Sequence, residues 1–69
     1  EHAHAEALRI ALNSLPGRFR TALSLHYIEG LSIVELAAVL GCREGTVKSR
    51  LFRGRDALKE ALQRIGVES

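Results

Sequence analysis

The chain has one cysteine and one proline among its 69 residues, and little else that would staple or interrupt a fold. With a single thiol, Cys42, no disulfide can form within the chain, and a zinc site built from several cysteines is ruled out. No apolar run approaches the ~18 residues that a bilayer-spanning helix requires, and no signal-peptide pattern opens the chain. Strand-like alternation is absent, as are repeats, low-complexity tracts and internal linkers. These absences leave a small helical domain in a reducing cytosol. Hydrophobic residues at 46% and charged residues at 26% are ordinary for a globular domain and too apolar for a disordered tail. The length allows one domain with one modest core, near the lower limit for folding without disulfides or metals. The first residue is Glu1 and not Met, which fits an excised fragment or a processed product.

Leu8, Ala11, Leu12 and Leu15 recur at i, i+3, i+4 and i+7 and predict a first helix over about 3–14. Pro16 disfavours helical geometry at Leu15 and suits the first position of a second helix, over 16–29. The stripe of that helix is Phe19, Ala22, Leu23 and Tyr27. Leu25 and Ile28 add apolar surface on other sides, so it is either the most enclosed element or keeps one side for a partner. Gly30 ends it in left-handed geometry. Ser32 and Glu35 have the spacing of a capping box, each side chain accepting the other's N–H, and open a third helix over 33–40 that Gly41 stops. After the turn Gly41-Cys42-Arg43 a fourth helix runs over 44–65, with a core stripe of Val47, Leu51, Leu58, Leu62 and Ile65. Gly54 and Ala61 lie beside that stripe, where close helix approach favours small side chains. Gly54 costs ~1 kcal/mol of helix propensity relative to alanine, which calls for a packing reason. Gly66 ends the helix, and the last three residues are loose. The fold class is all-α, a four-helix domain with a C-terminal helix-turn-helix.

Three residues between the third and fourth helices is helix-turn-helix spacing. The demanding positions agree: Ala37 is small where the two helices cross, Gly41 accepts φ > 0, and Val47 is a branched apolar residue that packs back. Charge gathers in the same place. The net charge is +2, and residues 1–30 balance three arginines against three glutamates. Between Arg43 and Arg55, five cations stand against Glu44 alone, +4 in thirteen residues. A cationic stripe on an otherwise balanced domain points to a polyanion; the competing reading is a solvated helix face.

With Val47 at 0°, the outward face carries Lys48 at about 100°, Phe52 at about 140°, Gly45 at about 160°, Ser49 at about 200° and Arg53 at about 240°. A phenylalanine has no reason to stand on a merely solvated face. In a major groove its ring lies against a thymine methyl, while Lys48 and Arg53 address guanine O6 and N7 and Ser49 bonds a base or a phosphate. The alternative for Phe52 is burial against the first helix or a partner protein. Arg43, Thr46, Arg50 and Arg55 flank the face and suit backbone phosphates. The helix starts at Ser32 and around Arg43–Gly45 present free N–H groups with the same preference, and Gly45 lets the backbone approach closely. Arg43 is a poor N-cap, which leaves orphan donors for water or phosphate.

The stretch Leu15-Pro-Gly-Arg-Phe-Arg-Thr-Ala-Leu, then Gly30-Leu-Ser32, then Glu35-Leu-Ala-Ala-Val-Leu-Gly41-Cys-Arg-Glu-Gly-Thr-Val-Lys-Ser-Arg-Leu-Phe-Arg53, resembles region 4 of bacterial sigma factors. The run Gly45-Thr-Val-Lys-Ser-Arg50, with the Leu-Pro opening, resembles the extracytoplasmic-function group in particular. The resemblance covers about residues 8–62. Gly54 stands where alanine is usual, and Arg43 where a small capping residue is common. The resemblance implies a domain that recognises the promoter −35 element for RNA polymerase. Its fourth helix would enter the major groove with Lys48, Ser49, Phe52 and Arg53 nearest the bases. It also implies docking on the flap tip of the polymerase β subunit and, in many members, retention by an anti-sigma factor. Leu25, Ile28, Leu62 and Ile65 are the candidate surfaces for those proteins. The −10-reading part of such a factor is not in this sequence, and the isolated domain is expected to be a monomer.

A LuxR-type output domain is the nearest DNA-binding rival. It places a further helix after the recognition helix, whereas here the stripe from Val47 runs unbroken to Ile65. A protein-interaction module with an incidental basic face is the other alternative, and it would show no preference among duplexes even at low salt. Catalysis, a cofactor and a metal are not expected. His2 and His4 sit at a fraying terminus, and His26 has no carboxylate or thiol at ligand spacing. Cys42 reads as a small packed residue of the turn and not as a redox switch.

Overall fold

A computed structural model describes residues 2–66, with side chains from residue 5 onward. The side chains of His2 and His4 and the three residues after Gly66 lie outside the described residues, as do the expectations that concern them. The order is α1 (His2–Asn13), α2 (Gly17–Leu23) continuing as a π turn over Ser24–Ile28, α3 (Ile33–Leu40) and α4 (Glu44–Ile65). Among the described residues there is no strand.

The boundaries follow from local chemistry. Pro16, at φ −53° and ψ 146°, stays just outside α2 as its N-cap, so the helix starts one residue later than expected, and its carbonyl accepts the N–H groups of Phe19 and Arg20 at 3.0 Å each. Ser32 and Glu35 close the capping box: the Ser32 N–H donates to Glu35 Oε1 at 2.8 Å, and the Glu35 N–H donates to Ser32 Oγ at 3.1 Å. Gly41 ends α3 at φ +67°, a left-handed conformation that a Cβ would strain. Arg43 is extended at the start of α4 and provides no side-chain cap.

One expectation is corrected in α2. The second helix is not uniform. From Ser24 it winds as a π turn, in which the Glu29 N–H reaches the Ser24 carbonyl five residues back at 3.1 Å. The wider turn under-rotates the backbone, so a periodicity of 3.6 no longer says which side chain faces inward. Tyr27, expected on the core stripe, is 55% exposed instead. The end of the turn is tied down by His26, whose Nδ1 lies 2.7 Å from the Leu31 carbonyl oxygen and therefore carries the proton.

A single core draws on all four helices: Ala11, Ala22, Leu23, Leu36, Val47, Leu51 and Ala61, with Leu15 between α1 and α2. Leu36 and Val47 are the large side chains wholly removed from solvent, so α3 and α4 are locked together where the turn joins them. Gly54 has the packing reason its helix-propensity cost demanded. A Cβ there would stand 3.2 Å from Leu23 and 3.4 Å from the Phe19 Cβ, so α2 rests directly on the α4 backbone. Leu8 and Ile65, both placed on core stripes from their spacing, remain 40% and 43% exposed. On α1 the small residues Ala7 and Ala11 take the innermost positions, which lets that helix lie close against α4. Cys42 is half-buried and packs against the core, as its position in the turn suggested.

Candidate nucleic-acid interface

Val47 and Leu51 fix the azimuth of α4. With those two side chains buried, the helix turns Lys48, Ser49, Phe52 and Arg53 to solvent together. Phe52 is 68% exposed, so the alternative of burial against α1 is set aside. The ridge is therefore an aromatic ring flanked by a hydroxyl and two cations. It is also short. Farther along, the same outward face carries Asp56 at about 180° and Glu60 at about 220° beside Lys59 at about 120° and Arg64 at about 260°, so its charge is mixed there and it is free of carboxylates only over the first three turns. This polarity matches recognition helices, which use their N-terminal residues on base edges.

The start of α4 adds donors. The N–H groups of Thr46 and Val47 reach the Arg43 carbonyl at 3.0 and 3.1 Å, while those of Glu44 and Gly45 have no intramolecular acceptor. Beyond its chain neighbours and the helix's own backbone, no protein atom lies within 4 Å of where a Gly45 Cβ would be. The fold itself therefore gives no reason for glycine at this helical position.

Beside the ridge, Arg18 and Phe19 of α2 and Gly45, Thr46, Ser49, Arg50 and Arg53 of α4 line an open groove of about 350 Å³. Five of these seven are residues that the sequence assigns to DNA contact. Arg18 is not among them. Its guanidinium lies over the Phe19 ring, 4.5 Å from the centroid. Finding it required the α2–α4 packing at Gly54, which no periodicity along α2 encodes.

Two phosphate candidates have partners within the fold. The Ser32 N–H and hydroxyl oxygen are committed to Glu35, whose carboxylate stands at that helix start, leaving mainly the hydroxyl hydrogen to meet an anion. Arg55 donates to the Tyr27 hydroxyl on the other flank of α4, because two residues beyond Arg53 is about 200° around the helix. There it borders an apolar groove of about 280 Å³ formed with Leu8, Leu12, Leu23, Tyr27, Ile28 and Leu58.

The candidate protein-partner residues separate in the same way. Ile28, 63% exposed, lines the apolar groove. Leu25 and Leu62 are half-buried and pack against the core, while Ile65 stays exposed. Leu8 and Tyr27 join Ile28 on the apolar groove. Among the described residues no three His, Cys, Asp or Glu side chains cluster as metal ligands, and no helix is long and apolar enough to cross a membrane.

The sequence model of the family described as Sigma-70, region 4 matches residues 5–58. The chain is 48% identical over 62 residues to the ECF RNA polymerase sigma factor SigE of Mycolicibacterium smegmatis, covering 90% of this chain and 24% of that protein. It is 50% identical over 52 residues to the RNA polymerase sigma-H factor of Pseudomonas aeruginosa, covering 75% of this chain and 27% of that protein. With the ECF RNA polymerase sigma-E factor of Escherichia coli the identity is 44% over 52 residues, at the same 75% and 27% coverage. The chain spans about a quarter of the length of the curated relatives it matches.

Proposed function

The chain belongs to the Sigma-70 region 4 family, and on that premise we propose that it reads the −35 element of promoter DNA as part of a sigma factor directing RNA polymerase. In this reading the first three turns of α4 enter the major groove. Lys48 and Arg53 donate to guanine O6 and N7, Phe52 covers a thymine methyl, and Ser49 bonds a base edge or the adjoining phosphate. Arg43, Thr46 and Arg50, with the open N–H groups of Glu44 and Gly45, hold the flanking phosphates and set the register. Ser32 contributes its hydroxyl hydrogen at the start of α3. The observation that carries the proposal is the exposed Phe52, framed by Lys48, Ser49 and Arg53 on a helix whose other face is locked into the core.

Proteins belong on the opposite flank. The apolar groove around Leu8, Tyr27 and Ile28 supports docking of the polymerase β flap, or of an anti-sigma factor that competes with it, and needs no cofactor. Both surfaces operate in the cytoplasm on a domain that is monomeric when isolated. The rival LuxR-type architecture is disfavoured by α4, which continues without a break from Glu44 to Ile65.

A single module of this size buries roughly 600–1,000 Å² on DNA, so isolated binding is on the order of micromolar and tethering within a holoenzyme supplies the remainder. Neutralising about four phosphates gives a slope of log K against log salt near −3 to −4. The test is selection from randomised duplexes followed by titration of the selected and scrambled sequences. Equal affinity for both, at low salt, would leave only the interaction module.

A further inference from the structure

We propose that Arg18, at the start of α2 and outside the helix-turn-helix, is a phosphate contact of the same duplex, completing a cradle of three arginines with Arg50 and Arg53. This rests on the reading of α4 as the groove-entering helix and adds a second structural element to its DNA surface. Arg18 is exposed and lines the groove together with Gly45, Thr46, Ser49, Arg50 and Arg53. No carboxylate lines that groove, and among the described residues none forms an ion pair with any of the three arginines. Three like charges around one open groove repel each other unless an anion enters.

The side chain is also positioned. Phe19 is half-buried, its Cβ 3.4 Å from the place a Gly54 Cβ would occupy, so its ring is seated against α4. The guanidinium of Arg18 lies over that ring at 4.5 Å. Stacking occupies a face of the guanidinium and leaves its in-plane N–H edge free, the edge that matches two oxygens of a phosphate. With bases meeting the ridge from Lys48 to Arg53, one strand's backbone passes along Thr46 and Arg50, within the groove that Arg18 borders.

Fluorescence anisotropy of the whole 69-residue chain with the selected and scrambled duplexes, at about 50 and about 200 mM salt, tests this. Arg18→Ala and Arg18→Gln are expected to keep the parent's preference between the duplexes and its melting temperature. Losing one phosphate contact flattens the salt slope by about 0.9, so across the fourfold salt change their affinity falls about 3.5-fold less than the parent's. Arg18→Lys restores the slope. If the variants keep both the slope and the preference of the parent, Arg18 does not touch DNA and the proposal falls, leaving an acidic protein segment as the occupant of the groove. Loss of preference in a folded variant overturns it in the other direction, making Arg18 a base reader. A parent with no preference between the duplexes rejects the promoter-reading assignment itself, a result distinct from either.

Discussion

Replacing Gly45 by alanine separates the needs of the fold from those of the ligand. Glycine at an exposed helical position is destabilising by roughly 0.5–1 kcal/mol relative to alanine, through the backbone freedom it loses on folding. At Gly45 the added methyl meets nothing within 4 Å beyond its chain neighbours and its own helix backbone, and the residue does not adopt positive φ. Gly45→Ala should therefore stabilise the free domain by about that amount. For a domain of this length the gain raises the melting temperature by about 2–8 °C. DNA binding should move the opposite way. If a phosphate strand lies against the open N–H groups of Glu44 and Gly45, the methyl intrudes on a closed contact. An overpacked contact costs about 1–3 kcal/mol, or roughly 5- to 160-fold in Kd. The pair of measurements is a calorimetric or circular-dichroism melt and an anisotropy titration with the selected duplex. A variant that melts higher and binds as tightly as the parent would falsify the placement of the α4 start at the DNA backbone. A variant that melts lower would refute the claim that the fold has no use for glycine here.

Four further outcomes are expected. Arg53→Ala should cost roughly 1–3 kcal/mol in binding and relax preference at one base position, and a uniform loss across all duplexes would make it a phosphate contact instead. Arg55→Ala should leave the salt slope unchanged while altering the affinity of whatever protein occupies the apolar groove, since Arg55 pairs with Tyr27 and not with the cationic groove. Ser32→Ala removes the side-chain acceptor of the capping box and should destabilise the domain by about 1 kcal/mol in a denaturant titration. Leu36→Ala, at a side chain with no exposed surface, should cost about 2–5 kcal/mol and threaten folding outright in so small a core.

The ends of α3 and α4 were legible before any coordinates because their chemistry is local. Ser32 with Glu35, Gly41 and Gly66 each satisfy or strain a backbone within a few residues, and all four act as their spacing implied. Val47 is legible for a related reason: the turn fixes where it must return to the core. Misplacements arise where the answer depends on another helix. Tyr27 and Leu25 exchange roles because the π turn shifts the helical phase after Leu23, and nothing in the sequence marks that shift. Leu8 is less buried than its stripe implied, and Ala7 is interior, because α1 comes close enough to α4 to favour the smaller residue. On the candidate interface the ridge was readable from the wheel of one helix. Arg18 was not, since it reaches the groove from α2, and neither was the pairing of Arg55 with Tyr27 on the other flank, because sequence proximity to Arg53 conceals the angle between them.

The uninterrupted course of α4 has a mechanical consequence. Arg53 and Leu58 are five residues apart on one rod, about 7.5 Å along its axis, and they open onto the cationic and the apolar groove respectively. No hinge lies between them, so the domain behaves as a bracket. A protein gripping the apolar side is held at a set height and rotation relative to the duplex, and an insertion of one residue between Arg53 and Leu58 would swing that protein about 100° around the helix axis.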